Sequence, residues 1–251
     1  MGNMNPQREP VEVIWLGQVD YRAAWNLQNR LAVEIAGGTQ APVLLLLEHP
    51  HTFTIGRRGG RDHVLWDETK RTQAGVELVE VDRGGDITYH GPGQLVGYPL
   101  LRLAVPGWQG ERLPQADFVG YIRRLEEVLI QTLAEFTIQA ERRAGLTGAW
   151  VDMDRPAVRP GKIASIGVKV DAKGISRHGF ALNVAPQMEY WQGIVACGLD
   201  GVRMAAMADL LTPPPSMHQV VQQTASSFGN VFGVDLVWKD ELAGESPHDQ
   251  P

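Results

Sequence analysis

The stretch from Arg83 to Pro99, RGGDITYHGPGQLVGYP, constrains the fold of this chain more than any other segment. It holds five glycines in seventeen residues. Glycine weakens a plain strand because it costs backbone entropy and adds no side chain to the packing. The segment therefore predicts a sharply bent backbone that a ligand can approach closely. Arg83, Thr88 and His90 favour a binding site over a glycine-proline hairpin with incidental polar residues.

Two further residues suggest chemistry. Cys197, in ACGLDG, is the single cysteine, so it cannot form an intrachain disulfide. It is a small buried residue, a site of incidental oxidation or a nucleophile. Lys162 begins GKIASIGVKV, whose alternation predicts a strand. A solvated lysine on an edge strand is the structural alternative there. Each of these features alone is common, but their presence together in one chain favours a catalytic or binding site.

Four segments occur in a fixed order: RGGDITYHGPGQLVGYP, GKIASIG, HGFALNV and ACGLDG. Together they resemble the octanoyltransferase family, the lipoyl(octanoyl) transferases of lipoate biosynthesis. LLLLEHPHTFTIGRR and TGAWV also fit, and the resemblance spans roughly Glu12 to Phe232. Strands and helices mix without regular alternation, which favours an α+β class in a single domain. The resemblance implies a mixed sheet flanked by helices, the biotin/lipoate protein ligase-like fold. We expect a catalytic domain over residues 11–238, with flexible tails at 1–10 and 239–251.

The resemblance also implies site residues and partners. The acyl-accepting cysteine falls on Cys197 and the neighbouring catalytic lysine on Lys162. An octanoyl group would pass from octanoyl-acyl carrier protein, through a cysteine thioester, to a lysine of the lipoyl domains of 2-oxoacid dehydrogenases and of the glycine cleavage H protein. The implied substrate contacts are Arg83, Gly84, Gly85, Asp86, Ile87, Thr88, Tyr89, His90, Ser165, Ile166, Gly167, Gly179, Phe180 and Ala181.

The chemistry needs a thiolate and a proton acceptor. The thiolate is the nucleophilic form of cysteine. Lys162 lies 35 residues before Cys197, so only folding can bring the two together. A lysine partly removed from water could accept the thiol proton and return it to a leaving group. Backbone N–H groups of Gly84, Gly85 and Gly179 are candidate donors to the developing oxyanion. Amide formation from a thioester runs downhill, so we expect no ATP and no other cofactor.

Composition excludes several classes of protein. A net charge of −6 and a pI near 5.6 argue against a general nucleic-acid binder. The chain has no apolar run long enough for a membrane span and no apolar leader at its start, so we expect a cytoplasmic protein without a membrane or nucleic-acid partner. His49 and His51 flank a proline without a nearby cysteine or carboxylate cluster, so we expect no metal.

An acidic carrier would need a local basic patch on this acidic chain. The candidate residues lie in predicted loops near the motifs, and they are Arg57, Arg58, Arg61, Arg155 and Arg159.

Periodicity predicts the main elements. A helix capped by Asp20 should end at Gly37 and Gly38, a longer helix should start at Asp117, and a last helix should span about Ser216 to Phe232. Asp154 to Gly161 is predicted to be a mobile loop. Strands are predicted at Val11–Gly17, Val43–Leu47, Glu48–Gly60, Val76–Val81, Leu95–Leu103, Trp150–Asp152, Lys162–Val170, His178–Val184 and Asp235–Trp238.

Two other functions remain open from the sequence. An ATP-dependent lipoate or biotin ligase of the same fold would form an acyl-adenylate, and GRRGGR at Gly56–Arg61 faintly resembles a ligase loop. A non-catalytic lipoyl-domain or acyl-binding protein would use Cys197 and Lys162 only structurally. Replacing Cys197 with alanine distinguishes these functions, because only the transferase needs a nucleophilic cysteine.

Overall fold

A computed structural model describes residues 10–103, 115–152, 161–196 and 201–240. Within these ranges the chain forms two sheets and four α-helices. The elements are β1 (Val11–Gln18), α1 (Tyr21–Gly37), β2 (Val43–Glu48), β3 (Thr52–Ile55), α2 (Glu68–Gln73), β4 (Glu77–Glu80), β5 (Ile87–His90), β6 (Gln94–Leu100), α3 (Gln115–Glu135), β7 (Ala140–Arg143), β8 (Leu146–Val151), β9 (Gly161–Val170), β10 (Ser176–Asn183), β11 (Arg203–Met204), α4 (Met217–Phe232) and β12 (Leu236–Lys239).

The larger sheet is mixed. Its strand order is β12-β1-β2-β6-β10-β9-β8-β7, and β11 pairs with β9 where β10 no longer does. β1 runs parallel to β2 and β12, whereas the remaining neighbours along this order are antiparallel. The smaller sheet has the order β4-β3-β5. This architecture confirms the predicted α+β class with a mixed sheet and flanking helices.

Helices cover both faces of the larger sheet. α3 and α4 pack on one face around buried residues such as Leu46, Leu129 and Phe228, while α1 packs on the other face against Leu45 and its neighbours. The α1 helix begins where the Asp20 side chain accepts the Ala23 N–H, and it ends at Gly38, whose φ is 77°. None of the helices in the described ranges is long and apolar enough to cross a membrane.

Most predicted elements are confirmed, within a few residues at their ends. The strand predicted over Glu48–Gly60 is present only as β3, Thr52–Ile55, and the strand predicted from Trp150 begins earlier, at Leu146. α3 begins at Gln115, two residues before the predicted Asp117. The glycine-rich block contains two strands after all: β5 over Ile87–His90, which has no glycine, and β6 from Gln94 onward, which includes Gly97. No sequence pattern marked α2, β7 or β11, which are six residues long or shorter.

Several sequence predictions fall on residues outside the described ranges. The predicted loop Asp154–Gly161 lies there except for its last residue, with which β9 begins. Most of the two predicted tails lies outside as well. The proposed domain limits therefore stay predictions.

His49 is a buried polar residue between α1 and the larger sheet. Its side chain is fully excluded from solvent. The His49 Nδ1–H donates to Val19 O at 2.7 Å, and Nε2 accepts the Tyr98 hydroxyl at 2.7 Å. Burial lowers the pKa of His49 to about 4. The imidazole is therefore neutral in the folded protein at neutral pH.

We predict that His49→Gln flattens the pH dependence of stability. The unfolded chain binds a proton at His49 near pH 6.5, whereas the folded chain does not until about pH 4. Stability from this group is complete above pH 6.5 and falls as the pH drops towards 4, by up to about 1.4 kcal/mol per pH unit. Urea unfolding of both proteins between pH 6.5 and 5 measures the two slopes. Equal slopes would show that His49 is protonated in the fold.

Candidate functional site

A cavity of about 510 Å³ lies where the two sheets meet. Its size is in the range of small-molecule sites. It is bounded by the glycine loop (residues 83–86), by β9 and β10, and by the β7–β8 turn. The wall residues are Tyr21, Arg58, Arg83, Gly84, Gly85, Asp86, Ile87, Thr88, His90, Val96, Tyr98, Ile122, Gly145, Leu146, Thr147, Lys162, Ser165, Ile166, Gly167, Val168, His178, Gly179, Phe180 and Ala181.

This cavity brings together residues that three distant sequence segments contribute. Lys162 lines it, and so do all the expected substrate contacts except Tyr89. Side chains alternate along β5, so Thr88 and His90 face the cavity while Tyr89 packs on the other side. The Tyr89 ring stacks on Tyr190, and its hydroxyl lies 2.9 Å from Nδ1 of His51. Tyr89 therefore supports the small sheet from outside the cavity.

Cys197 falls outside the described residues. The chain on either side of it is fixed. Val195 N–H donates to His63 O at 2.9 Å, and Ala196 is buried. After the gap, Met204 pairs with Lys162 in the register of β11 with β9. Ala196, the last described residue before the gap, thus belongs to the buried cluster of the small sheet, and β11, the first strand after the gap, lies beside Lys162.

Arg83 organises the glycine loop. Its guanidinium is almost fully buried and donates at 2.7 Å to both the carbonyl and the hydroxyl of Thr54, and at 2.8 Å to Asp86 O. Gly84 N–H donates to Val168 O at 2.9 Å, which joins the loop to β9. This bond occupies the Gly84 N–H, so that group is not an oxyanion donor in this conformation. A Cβ at Gly167 would lie 2.9 Å from Gly84 O, so the close approach requires glycine there.

One part of the cavity wall is polar but uncharged. His90 donates its Nδ1–H to Gln94 Oε1 at 2.8 Å, and its ring stacks on Tyr21. Burial holds the pKa of His90 well below its ordinary value, and burial raises the pKa of Tyr98 well above its own. At neutral pH this part of the wall presents neutral rings. It can therefore contact an apolar chain without placing a free charge against it.

His178 is held in an unusual conformation. Its backbone is left-handed, with φ of 56°, which costs a non-glycine residue about 1–3 kcal/mol. His178 Nε2–H donates to Asp82 Oδ1 at 2.7 Å, and Asp82 Oδ2 accepts Lys169 at 2.6 Å and Arg177 at 2.8 Å. Regular alternation would send the adjacent side chains of Arg177 and His178 to opposite faces. The left-handed residue lets both reach one carboxylate.

The electrostatics of this cluster follow from burial and hydrogen bonds. Partial burial disfavours the charged carboxylate of Asp82, but its bonds to His178, Lys169 and Arg177 outweigh this and hold its pKa well below the usual range. Burial lowers the pKa of His178 despite the nearby Asp82. The neutral imidazole keeps its Nδ1 buried, with no hydrogen-bond partner in the described part of the chain.

Lys162 lies at the β8–β9 end of the cavity. It is 5% exposed, and its Nζ is 5.5 Å from the centre of the Trp150 ring, the residue directly opposite on β8. The register of β8 with β9 shifts by one residue between Ala149 and Trp150. Such bulges redirect side chains, often at sites. Val168 is six residues further along β9, about 20 Å away at 3.3 Å per residue.

Several wall residues were not singled out from the sequence. Tyr98 belongs to the glycine-rich block and was therefore near a recognised signal. So was Asp82, which does not line the cavity but precedes the block and binds the wall residue His178. Tyr21, Ile122 and Leu146 come from elements with no local motif. Within the described ranges no three His, Cys, Asp or Glu side chains form a metal-binding group. The arrangement suits an elongated, uncharged group whose reactive end lies near Lys162.

Comparison with solved structures shows the fold. A bipartite lipoate protein ligase from Thermoplasma acidophilum superposes with a TM-score of 0.68 at 16% identity, covering 93% of this chain and 88% of that one. A lipoate-protein ligase A bound with ATP superposes with a TM-score of 0.65 at 15% identity, covering 93% and 90%. At this identity the likeness establishes a lipoate-protein-ligase-like fold, as expected from the sequence.

Comparison with curated sequences shows the family. The model of the lipoyl protein ligase A/B catalytic domain matches residues 20–229. The octanoyltransferase of Chloroflexus aurantiacus is 41% identical over 89% of this chain and 94% of its own length. Those of Acidobacterium capsulatum and Gloeobacter violaceus are 40% and 43% identical, over 95% and 87% of this chain and 95% and 88% of their own. The chain therefore belongs to the octanoyltransferase family, the acyltransferases that transfer octanoyl groups in lipoate biosynthesis.

Proposed function

We propose that octanoyl transfer in this chain runs through a thioester on Cys197, with Lys162 moving the protons and the cavity holding the acyl chain. The observation that supports this most is the cavity itself. It joins Lys162 to the glycine loop and to the middle of β9 and β10 in one continuous wall. The anchoring of the chain on both sides of Cys197 supports placing the thiol near Lys162.

The first half-reaction would load the enzyme. The Cys197 thiol gives its proton to the Lys162 amine, and the thiolate attacks the carbonyl carbon of octanoyl-acyl carrier protein. The bond between Cys197 sulfur and the carbonyl carbon forms as the bond to the carrier sulfur breaks. Lys162 then returns the proton to the departing carrier thiolate. One thioester replaces another, so the step is nearly balanced in free energy.

The second half-reaction would deliver the chain. The ε-amine of a lipoyl-domain lysine attacks the carbonyl carbon of the octanoyl-Cys197 thioester. The carbon–nitrogen bond forms, the carbon–sulfur bond breaks, and Lys162 carries a proton from the amine to the Cys197 thiolate. An amide replaces a thioester, which runs downhill and needs no ATP.

The cavity wall supports an acyl substrate. Val96, Ile166, Val168 and Phe180 contribute apolar surface. Burying the seven carbons beyond the carbonyl would contribute on the order of 5 kcal/mol, at about 0.8 kcal/mol for each CH₂ or CH₃ group. The low pKa values of His90 and His178 keep their rings uncharged beside such a chain. We therefore place the octanoyl tail along β9 and β10, towards these rings, in contact with the residues that the sequence singled out there.

We propose a cytoplasmic location and two protein partners, an octanoyl-acyl carrier protein and the lipoyl domains of 2-oxoacid dehydrogenases and the glycine cleavage H protein. Arg58 lines the cavity, and Arg57 and Arg58 are both exposed. Arg61 is exposed too but pairs with Glu80 at 2.8 Å. Arg155 and Arg159 lie outside the described residues. We propose that Arg57 and Arg58 guide an acidic carrier to the cavity.

The ligase alternative is not favoured. The relatives at about 40% identity are octanoyltransferases, whereas the ligase structures share 15–16% identity and establish the fold alone.

We predict a covalent adduct without ATP. Intact mass spectrometry after mixing with octanoyl-acyl carrier protein should show one octanoyl group on the wild type and none on Cys197→Ala. Lys162→Met should slow adduct formation by at least about 100-fold, because it removes the proton carrier. Lys173→Met, an exposed lysine in the β9–β10 turn, is the matched control and should load normally. An adduct on Cys197→Ala, or activity only with ATP and free octanoate, would contradict the mechanism.

We also predict that Arg57→Glu with Arg58→Glu slows carrier turnover. The double variant should lower kcat/KM for the carrier by about 10-fold at low salt, because electrostatic steering is lost, and should flatten its dependence on ionic strength. Steady-state rates between low and high salt measure both effects. The control pair Arg30→Glu with Lys173→Glu changes the net charge equally, at exposed residues that do not line the cavity. An equal loss in both pairs would show an effect of net charge rather than a docking patch.

A further inference from the structure

The stem of Lys162 rests against the backbone of β8. Gly148, two residues before Trp150, is buried and has a φ of 121°. A Cβ at Gly148 would lie 2.9 Å from Cε of Lys162 and 2.3 Å from Ala164 O. The lysine stem therefore occupies the space that a side chain at Gly148 would fill. Whatever fixes the Gly148 backbone also limits where the Lys162 amine can point.

A buried carboxylate fixes that backbone. Glu126, on α3, has no solvent exposure. Its Oε1 accepts the Gly148 N–H at 3.1 Å. Its Oε2 accepts Arg123 Nη1 at 2.7 Å and lies 3.2 Å from Arg142 Nε. Both arginines are partly exposed, at 50% and 36% of their side chains, so they reach the carboxylate from the solvent side.

The local strand geometry explains why an acceptor is needed there. The one-residue register shift between β8 and β9 lies directly beside Gly148, between Ala149 and Trp150. A bulge interrupts the ladder of backbone hydrogen bonds, and a buried N–H must find another acceptor. Glu126 supplies that acceptor from a helix. The same helix face lines the cavity one turn earlier, at Ile122.

We propose that Glu126 is a positioning residue for Lys162. Its carboxylate oxygen holds the Gly148 backbone against the lysine stem and so directs the Lys162 amine towards the reacting atoms. This role rests on the proposed function, in which Lys162 carries the protons.

The position of the oxygen, rather than the negative charge, carries this role. A buried carboxylate loses its hydration, and an apolar side chain of similar volume would avoid that cost. What an apolar side chain lacks is a directional acceptor for Gly148. Glutamine at 126 would keep an acceptor oxygen at the same distance from the backbone. Aspartate would keep the charge but withdraw the oxygen by about 1.5 Å, one carbon–carbon bond, which breaks a 3.1 Å hydrogen bond.

The test compares Glu126→Gln, Glu126→Asp and Glu126→Leu in octanoyl transfer. We expect Glu126→Gln to keep kcat within about 3-fold of the wild type. Glu126→Asp and Glu126→Leu should lower kcat by about 10- to 100-fold, the effect of a roughly 1 Å misplacement of a catalytic group. The KM for both substrates should change little, because no substrate contact is altered. Thermal unfolding of each variant shows that the enzyme assayed is folded.

Glu127→Gln is the matched control. Glu127 is the next residue on α3 and binds the same Arg142 at 2.6 Å. The Gly148 N–H donates to Glu126 and not to Glu127. It should behave as the wild type. Wild-type kcat in Glu126→Asp, or a larger loss in Glu126→Gln than in Glu126→Asp, would overturn the inference. If Glu126→Leu does not fold, the comparison of kcat between Glu126→Gln and Glu126→Asp still tests the positioning role.

Lys162→Met is assayed alongside to separate the two proposals. Full activity in Lys162→Met would overturn the proposed function and the role of Glu126 with it. An inactive Lys162→Met together with a fully active Glu126→Asp would leave the function standing and overturn the positioning role alone.

Discussion

The pairing of β9 with its neighbours is the constraint on which the site depends. β10 pairs with β9 from Val170 to Ala164, β8 and β11 pair with it at Lys162, and the glycine loop joins it at Val168. A strand held along this length cannot slip without moving every side chain to the opposite face. Lys162 and the middle of the cavity wall therefore keep a fixed spacing. The same strand therefore positions both the catalytic lysine at one end of the cavity and the wall residues proposed to contact the acyl chain.

Polar side chains that are buried or partly buried hold the irregular segments around this strand in place. Arg83 ties the glycine loop to β3, Asp82 ties the start of that loop to β9 and β10, and Glu126 ties α3 to β8. Each sits where the backbone departs from regular structure: a glycine-rich turn, a left-handed histidine or a bulge. An irregular backbone leaves polar groups that the ladder does not satisfy, and unsatisfied buried groups are costly. The glycine loop, His178 and the part of β9 at Lys162 also line the cavity, so the polar side chains that hold these segments lie next to the site.

Neutrality of the imidazoles links stability to function. His49, His90 and His178 are buried, and burial lowers the pKa of each. In the folded protein they resist protonation as the pH falls, which lowers stability under acid conditions. The benefit is that the part of the cavity wall formed by His90 and His178 is shaped by hydrogen bonds and carries no imidazolium charge. An acyl chain can lie against such rings without the cost of facing a free imidazolium charge.

The sequence by itself determined the periodic elements, the α+β class and the residue types that carry the chemistry, because these depend on local pattern. Alternation marked β9 and β10, and the glycine-rich block marked the loop that approaches them. Tertiary structure alone decided which side chains face the cavity. Tyr89 was expected there and points away, whereas Tyr98 from the same block lines it. Glu126 showed no signal, since a glutamate in an amphipathic helix is ordinarily a solvated residue. Glu126 is buried and accepts a hydrogen bond from Gly148, which lies 22 residues away in the sequence. Local sequence patterns do not encode contacts over such a separation.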